Sequence, residues 1–260
     1  MPSEVTVFKE TKLPLKLKDV AVKVVHHRYD DITLNTTLVS FPTKRKILST
    51  IDGLKQVQHV ANVYLPQALS ERVMTIKRYN HFIRRLPVTL GLPRGNVAFL
   101  STGVDMENVA YCEKSYEDFH VCCIATGGAL NNALRTGVDK GCWVETSSGF
   151  QFRQGTINII LLTNVSLSWG AMARAIVTAT EAKTAALQDL NYRSTSSPKV
   201  QATGTGTDST IVVSAATPDI VIKHTGGHTK MGELIGFTTK SAVEEALQNY
   251  DKKRDNHCFG

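Results

Sequence analysis

The stretch "GTINIILLTNVSLSWGAMARAIVTATEAKTAALQDL" (155–190) joins two patterns that decide the fold. Its first ten residues form a continuous apolar run, the signature of a strand buried on both faces. From Ser168, a suitable N-cap, the chain becomes rich in alanine, which predicts a long helix over 167–190. A second strand is expected in "STIVVSA" (209–215) and a second helix in "MGELIGFTTKSAVEEALQNY" (231–250). The second half thus reads β-α-β-α, and the fold class is α/β, with helices layered on a mixed β-sheet.

Outward from this core the signals weaken. "VAVKVVHHRYDDITLNTTLVSF" alternates as one or two strands, and "TKRKILSTIDG" ends in turn residues. In "LSERVMTIKRYNHFIRRLP" the apolar residues Val73, Ile76, Phe82, Ile83 and Leu86 recur at helical spacing, and Pro87 is expected to stop the helix. Strands follow in "NVAFLST" and "DFHVCCIATGG".

At 260 residues, 42% hydrophobic and 20% charged, the composition is that of a soluble globular protein, read as a single domain over 1–260. Its longest apolar runs are too short to span a bilayer, and the N-terminus lacks the apolar core of a secretory signal. A cytosolic location, with no membrane partner, is the resulting expectation. Five cysteines without a C-x-x-C pair or His/Cys metal spacing read as reduced and structural, and no metal is expected. The net charge of +7 is scattered in short clusters, which predicts no nucleic-acid partner and leaves an anionic small substrate in second place.

Four loops place small or polar residues at strand ends or helix starts, where α/β proteins build sites. They are "STGVDM" (101–106), "ATGGALNN" (125–132), "ATGTGTD" (202–208) and "GGHTKMGE" (226–233). Glycines around Thr203, Thr205 and Thr207 permit close backbone approach to an oxyanion, and Asp208 adds a carboxylate. A tight connection into a strand explains the same spacing. The P-loop pattern is absent, which disfavours kinase or ATPase chemistry.

His228 follows two glycines and suits proton transfer, although a lone histidine is more often a surface or capping residue. On the alanine-rich helix Glu181 and Thr184 share a face, with Lys183 about 200° round from Glu181. Asn158 is unusual inside an apolar strand and needs a hydrogen-bond partner if buried. The catalytic candidates are His228, Asp208, Glu181, Thr205 and Thr207. Candidates for substrate contact are Thr102, Asp105, Asn131, Asn132, Asn158, Asn164, Lys183, Thr203, Thr229, Lys230 and Glu233.

Taken in order, the four loops and the 155–194 stretch closely resemble the adenosylcobinamide amidohydrolase family, over about residues 95–245 and more weakly through "KRKILSTIDGL" and "HVANVYLP". The resemblance implies hydrolysis of the amide linking the corrin side chain to aminopropanol in adenosylcobinamide, giving adenosylcobyric acid in cobamide salvage. It implies no cofactor, because the cobalt corrinoid is the substrate. It also implies an open groove in which the four loops converge. Two chemistries stay open: Asp208 or Glu181 acts as base on water with His228 protonating the amine, or a threonine forms an ester intermediate.

The second half is also similar to the self-cleaving aminopeptidase and ornithine acetyltransferase group. That similarity would make Thr205 or Thr207 the nucleophile and predict chain cleavage before it. The segment 140–154 and both termini depart from the family pattern, which bears on the exact substrate. A corrinoid-binding protein without turnover is the rival reading, and the oligomeric state is left open.

Overall fold

The computed structural model describes residues 6–73, 75–141, 156–216 and 220–258. The atypical segment 140–154 lies almost wholly outside the described residues. Three antiparallel strands open the chain: β1 (Val7–Leu13), β2 (Ala21–Tyr29) and the long β3 (Ile32–Ser49). The turn "TID" leads through Gly53, at φ +69°, into β4 (Gly53–Tyr64), which runs back along β3. Helices α1 (Gln67–Arg72) and α2 (Ile76–Thr89) follow, and then β5 (Val97–Thr102), parallel to β4.

Strands β6 (Ala110–Tyr116) and β7 (Phe119–Gly127) form a hairpin, and β7 pairs antiparallel with β8 (Ile157–Thr163). After the two-residue β9 (Ser166–Leu167) comes α3 (Trp169–Asp189), then β10 (Ser209–Val213), the short β11 (Val221–Ile222) and α4 (Lys230–Cys258). β8 and β10 are parallel neighbours, so the β-α-β-α order of the second half is the architecture observed.

The mixed sheet, of nine strands among the described residues, curls so that its two halves face each other. Three apolar clusters record the layering. One lies between α3, α4 and the β6-β7-β8-β10 half, holding Ile157, Ile159 and Leu161. A second fills the space between the halves, where Ile160 and Leu162 of β8 meet Val39, Val60 and Leu100. The third packs Phe82 and Leu86 of α2 onto β2 to β5. All seven residues of β8 are buried, because one face meets helices and the other meets a second sheet layer.

Local chemistry agrees with most element boundaries. Ser168 caps α3 by accepting from the Ala171 N–H at 3.1 Å, and Thr75 caps α2 through Arg78 at 3.3 Å. Pro87 does not stop α2, which continues to Thr89. The ring removes one N–H from the last turn without ending it, and Leu90 N–H still reaches Leu86 O at 3.1 Å. Among the described residues no helix is long and apolar enough to cross a membrane.

His26 and His27 point to opposite faces of β2, as adjacent strand residues must. His27 is fully buried, with Nε2 2.9 Å from Thr36 Oγ1, and burial pushes its imidazole down to about 4. The unfolded chain therefore protonates this ring near 6.5 and the folded chain only near 4, so its contribution holds above 6.5 and is lost as pH falls through that window. Urea unfolding at pH 7 and pH 4.5 is expected to show the His27→Gln variant losing less stability than the parent, by up to about 3 kcal/mol. Equal acid losses in the two proteins would remove His27 from the acid response.

Candidate active site

β8 starts beside the end of β7 and the start of β10: Asn158 pairs with Thr126 on one side and with Ser209 on the other. Three of the four loops meet at this end. Leu134 N–H donates to Gly204 O and Thr203 N–H to Leu134 O, each at 2.8 Å, which fastens the loop after β7 to the 202–208 loop. The 101–106 loop approaches from the facing layer, since Ser101 O accepts from Asn158 Nδ2 at 3.0 Å and Val104 packs against Gly128.

Asp208 is the hub of the first cluster. Its Oδ1 accepts from the Thr205 hydroxyl at 2.6 Å and from Ile157 N–H at 3.1 Å. Its Oδ2 forms an ion pair with Lys183 Nζ, and Thr205 N–H lies 3.2 Å from the same oxygen. Both charged side chains are largely buried, with 9% of Lys183 and 15% of Asp208 exposed. Burying such a pair costs desolvation that its mutual attraction only partly offsets, so its presence calls for more than stability.

The surrounding backbone is built to fit this pair. A Cβ on Gly204 would lie 2.8 Å from Lys183 Nζ and collide with the Asp208 carboxylate. Gly206, at φ +79°, turns the chain beside Leu134 in a backbone conformation that side chains rarely adopt. Thr205 is buried, whereas Gly206 and Thr207 form the exposed tip, with the Thr205 and Thr207 hydroxyl oxygens 3.3 Å apart. Thr203 holds the loops together, its Oγ1 accepting from Thr136 N–H at 3.0 Å.

A second polar cluster lies just inside the space between the sheet halves. Asn158 Nδ2 donates to Asn62 Oδ1 at 2.8 Å, and Asn62 Nδ2 donates to Thr126 Oγ1 at 2.9 Å. The buried Asn158 Oδ1 has no partner among the described residues. Asp105 accepts from Asn35 Nδ2 at 2.9 Å, and Thr102 Oγ1 accepts from Val104 N–H at 3.0 Å. Tyr64 stands at the same end, its phenol held above its usual range by burial, then by Asp105 and Tyr250. Asn131 is exposed and Asn132 buried on the loop that Leu134 anchors. The sequence reading missed Asn35, Asn62 and Thr126, although Asn62, an amide within "HVANVY", carries the same signal as Asn158.

The fourth loop is elsewhere, which corrects the expected convergence. α4 begins where Lys230 stands over Tyr116, at the β6–β7 hairpin, and only its later residues Leu247 and Tyr250 reach Gly127 and Gly128. His228, exposed and packed near Arg174 and Gly226, therefore lies toward the opposite end of β8. Seven strand residues separate those ends by about 20 Å, too far for His228 and Asp208 to share one reacting group. Thr229 accepts from Gly232 N–H at 3.0 Å, and Lys230 pairs with Glu233, so both serve the start of α4.

Asn164 is also at the far end, bridging His120 N–H and Asp118 O. Glu181 points away from the cluster, 59% exposed and 3.6 Å from Arg174. Lys183, on the other side of the helix, is the α3 residue that reaches Asp208.

A family model described as adenosylcobinamide amidohydrolase matches residues 20–255. An uncharacterized protein of Methanocaldococcus jannaschii is 41% identical over 229 residues, spanning 84% of this chain and 87% of that protein. The adenosylcobinamide amidohydrolase of Methanosarcina mazei is 27% identical over 204 residues, covering 75% of this chain and 86% of its own. Among solved structures, the L-aminopeptidase D-Ala-esterase/amidase of Ochrobactrum anthropi is aligned over 95% of this chain and 88% of its own, with 10% identity and a TM-score of 0.44. The chain belongs to the adenosylcobinamide amidohydrolase family, a family of hydrolases.

Because each charge of the Lys183–Asp208 pair is left uncompensated without the other, Lys183→Met is expected to destabilise the protein by about 3–5 kcal/mol. The double variant Lys183→Met with Asp208→Asn should recover part of that loss. Chemical denaturation of the four proteins measures the coupling, and additive losses would show that the two charges do not interact.

Proposed function

We propose that this member of the family hydrolyses the amide joining the corrin side chain to aminopropanol in adenosylcobinamide, releasing adenosylcobyric acid, with Thr205 as the nucleophile. The observation that carries this reading is the Thr205 hydroxyl donating to Asp208 at 2.6 Å while Asp208 is oriented by Lys183. A nucleophile, a base in hydrogen-bond reach and a third group that fixes the base are the parts acyl transfer needs. Asp208 acting on water is less well supported, since both carboxylate oxygens already accept from protein donors.

In the proposed sequence Thr205 Oγ attacks the amide carbon as Asp208 takes the hydroxyl proton, so no free alkoxide forms. Negative charge moves to the former carbonyl oxygen. The Gly206 N–H, at the exposed tip and with no acceptor among the described residues, is the donor we assign to that oxyanion. Lys183 keeps its positive charge beside the newly neutral Asp208. When the C–N bond breaks, the Asp208 proton passes to the departing amine, leaving the corrinoid acyl group as an ester on Thr205. Water then attacks the ester as Asp208 takes its proton, and when the acyl C–O bond breaks Asp208 returns that proton to Thr205 Oγ, releasing the carboxylic acid and restoring both side chains. The substrate's cobalt takes no part in these proton transfers.

Purified protein incubated with adenosylcobinamide is expected to yield adenosylcobyric acid by mass. Thr205→Ala should abolish turnover and Thr205→Ser retain it, while Asp208→Asn should lower kcat by about 10²–10⁴-fold, the usual worth of a general base. Intact-protein mass during turnover should reveal the acyl ester on the parent chain and none on Thr205→Ala. Because His228 is remote, His228→Ala should leave the rate within about twofold, as for surface changes away from a site. Substrate binding without product would favour the corrinoid-binding rival, and wild-type rates in folded Thr205→Ala would exclude the nucleophile.

A further inference from the structure

α2, "IKRYNHFIRRLPVT", carries four cations and no carboxylate. Phe82 and Leu86 turn inward onto β2 to β5, and the cations are left on the outer surface. Its cations recur two turns apart, at 77/84 and 78/85, with no carboxylate on the helix to pair with them, so this face gains no helix-stabilising ion pair from its composition. It borders a concavity of about 800 Å³ lined by Arg72, Lys77, Arg78, His81, Arg84 and Arg85. A second concavity of about 490 Å³ shares the last three of these and adds Lys55 and Arg94.

The nearby carboxylates are already engaged. Arg72 forms a bidentate pair with Asp31, at 2.5 and 3.0 Å, Arg85 lies 3.6 Å from Asp30, and Lys55 lies 2.8 Å from Asp52. Among the described residues Lys77, Arg78, Arg84 and Arg94 have no ion-pair partner. The groove lies over the α2 layer, whereas Thr205, Asp208 and Lys183 lie on the α3 side of the other sheet half.

We propose that this groove binds a small ligand carrying a chain of two or more phosphates. Unpaired guanidinium groups are matched to phosphate oxygens, forming strong charge-assisted hydrogen bonds with them. Lys77 and Arg84 are about 10 Å apart along the helix, so an extended anion meets cations that one phosphate cannot reach together. The volume suits a ligand of nucleotide size. Base stacking on a polymer is not provided for: Tyr29 is 7% exposed and covered by Arg85, 5.1 Å above its ring.

Isothermal titration of the full chain with sodium tripolyphosphate, ATP and orthophosphate tests the proposal. Saturable one-to-one binding of the first two is expected, at least about tenfold tighter than orthophosphate and weakening as salt is raised. Equal affinities would identify the phosphate chain as the whole determinant, and tighter ATP would add a contact to the nucleoside. Lys77→Glu with Arg84→Glu should weaken binding by about tenfold or more, as loss of two phosphate contacts does. The milder Lys77→Gln with Arg84→Gln serves if charge reversal unfolds the chain, with the thermal melt and amide hydrolysis as controls. No saturable binding, unchanged binding in a folded variant, or tighter binding of single-stranded oligonucleotides with affinity rising with length would each overturn it.

Discussion

A strand covered on both faces meets solvent only at its ends, and β8 is such a strand. Helices cover one side and the facing sheet layer covers the other, so nothing polar is tolerated along its middle. Its polar residues fall toward its two ends, Asn158 and Thr163, and at the start Asn158 is met by Asn62 and by Ser101 O from the opposite layer. Parallel pairing brings β10 in at the same level, so Asp208, just before Ser209, arrives beside the start of β8. The site follows from the layering: it is the point at which a closed core runs out of apolar sequence.

At that point two environments lie back to back across one strand. On the helix side an ion pair and a hydroxyl form one cluster, and on the inter-sheet side amides and hydroxyls, with Asp105 beside them, form the other. Low dielectric strengthens both and makes each unmet hydrogen bond expensive. Lys183, Asp208 and Thr205 are bonded to one another, whereas Asn158 keeps one acceptor unmet. Rigidity on one side and a spare hydrogen-bonding position on the other suit a centre that must hold its own groups still and receive those of another molecule.

What the sequence disclosed followed from how local each signal is. The apolar run of β8, the alanine-rich α3 and the Ser168 cap depend on neighbours within a few residues, and all were legible. The 101–106, 125–132 and 202–208 loops were rightly grouped by their chemistry. The 226–233 loop was not separable from them, because which end of β8 it joins depends on the direction α4 takes across the sheet, a tertiary fact that no local pattern encodes. Glu181 and Lys183 were both candidates, and which of them turns inward was not legible for a related reason. Helical geometry put them on opposite sides, but a buried lysine runs against the usual ranking of residues by burial, and the partner that justifies it is 25 positions away. β4 went unread because its apolar residues alternate too irregularly, serving two clusters at once.

Five of the nine buried residues of α3 are alanines: Ala171, Ala175, Ala179, Ala182 and Ala186. Such a surface does little chemistry, yet it sets how near the helix axis can come to the strands, and so how far one four-carbon stem must stretch. A bulkier residue among them would act as a shim, lifting the ammonium off its carboxylate while the core stayed filled. Selection on turnover would then reach residues that never touch the substrate, and the plainest part of the chain would be among the least free to drift.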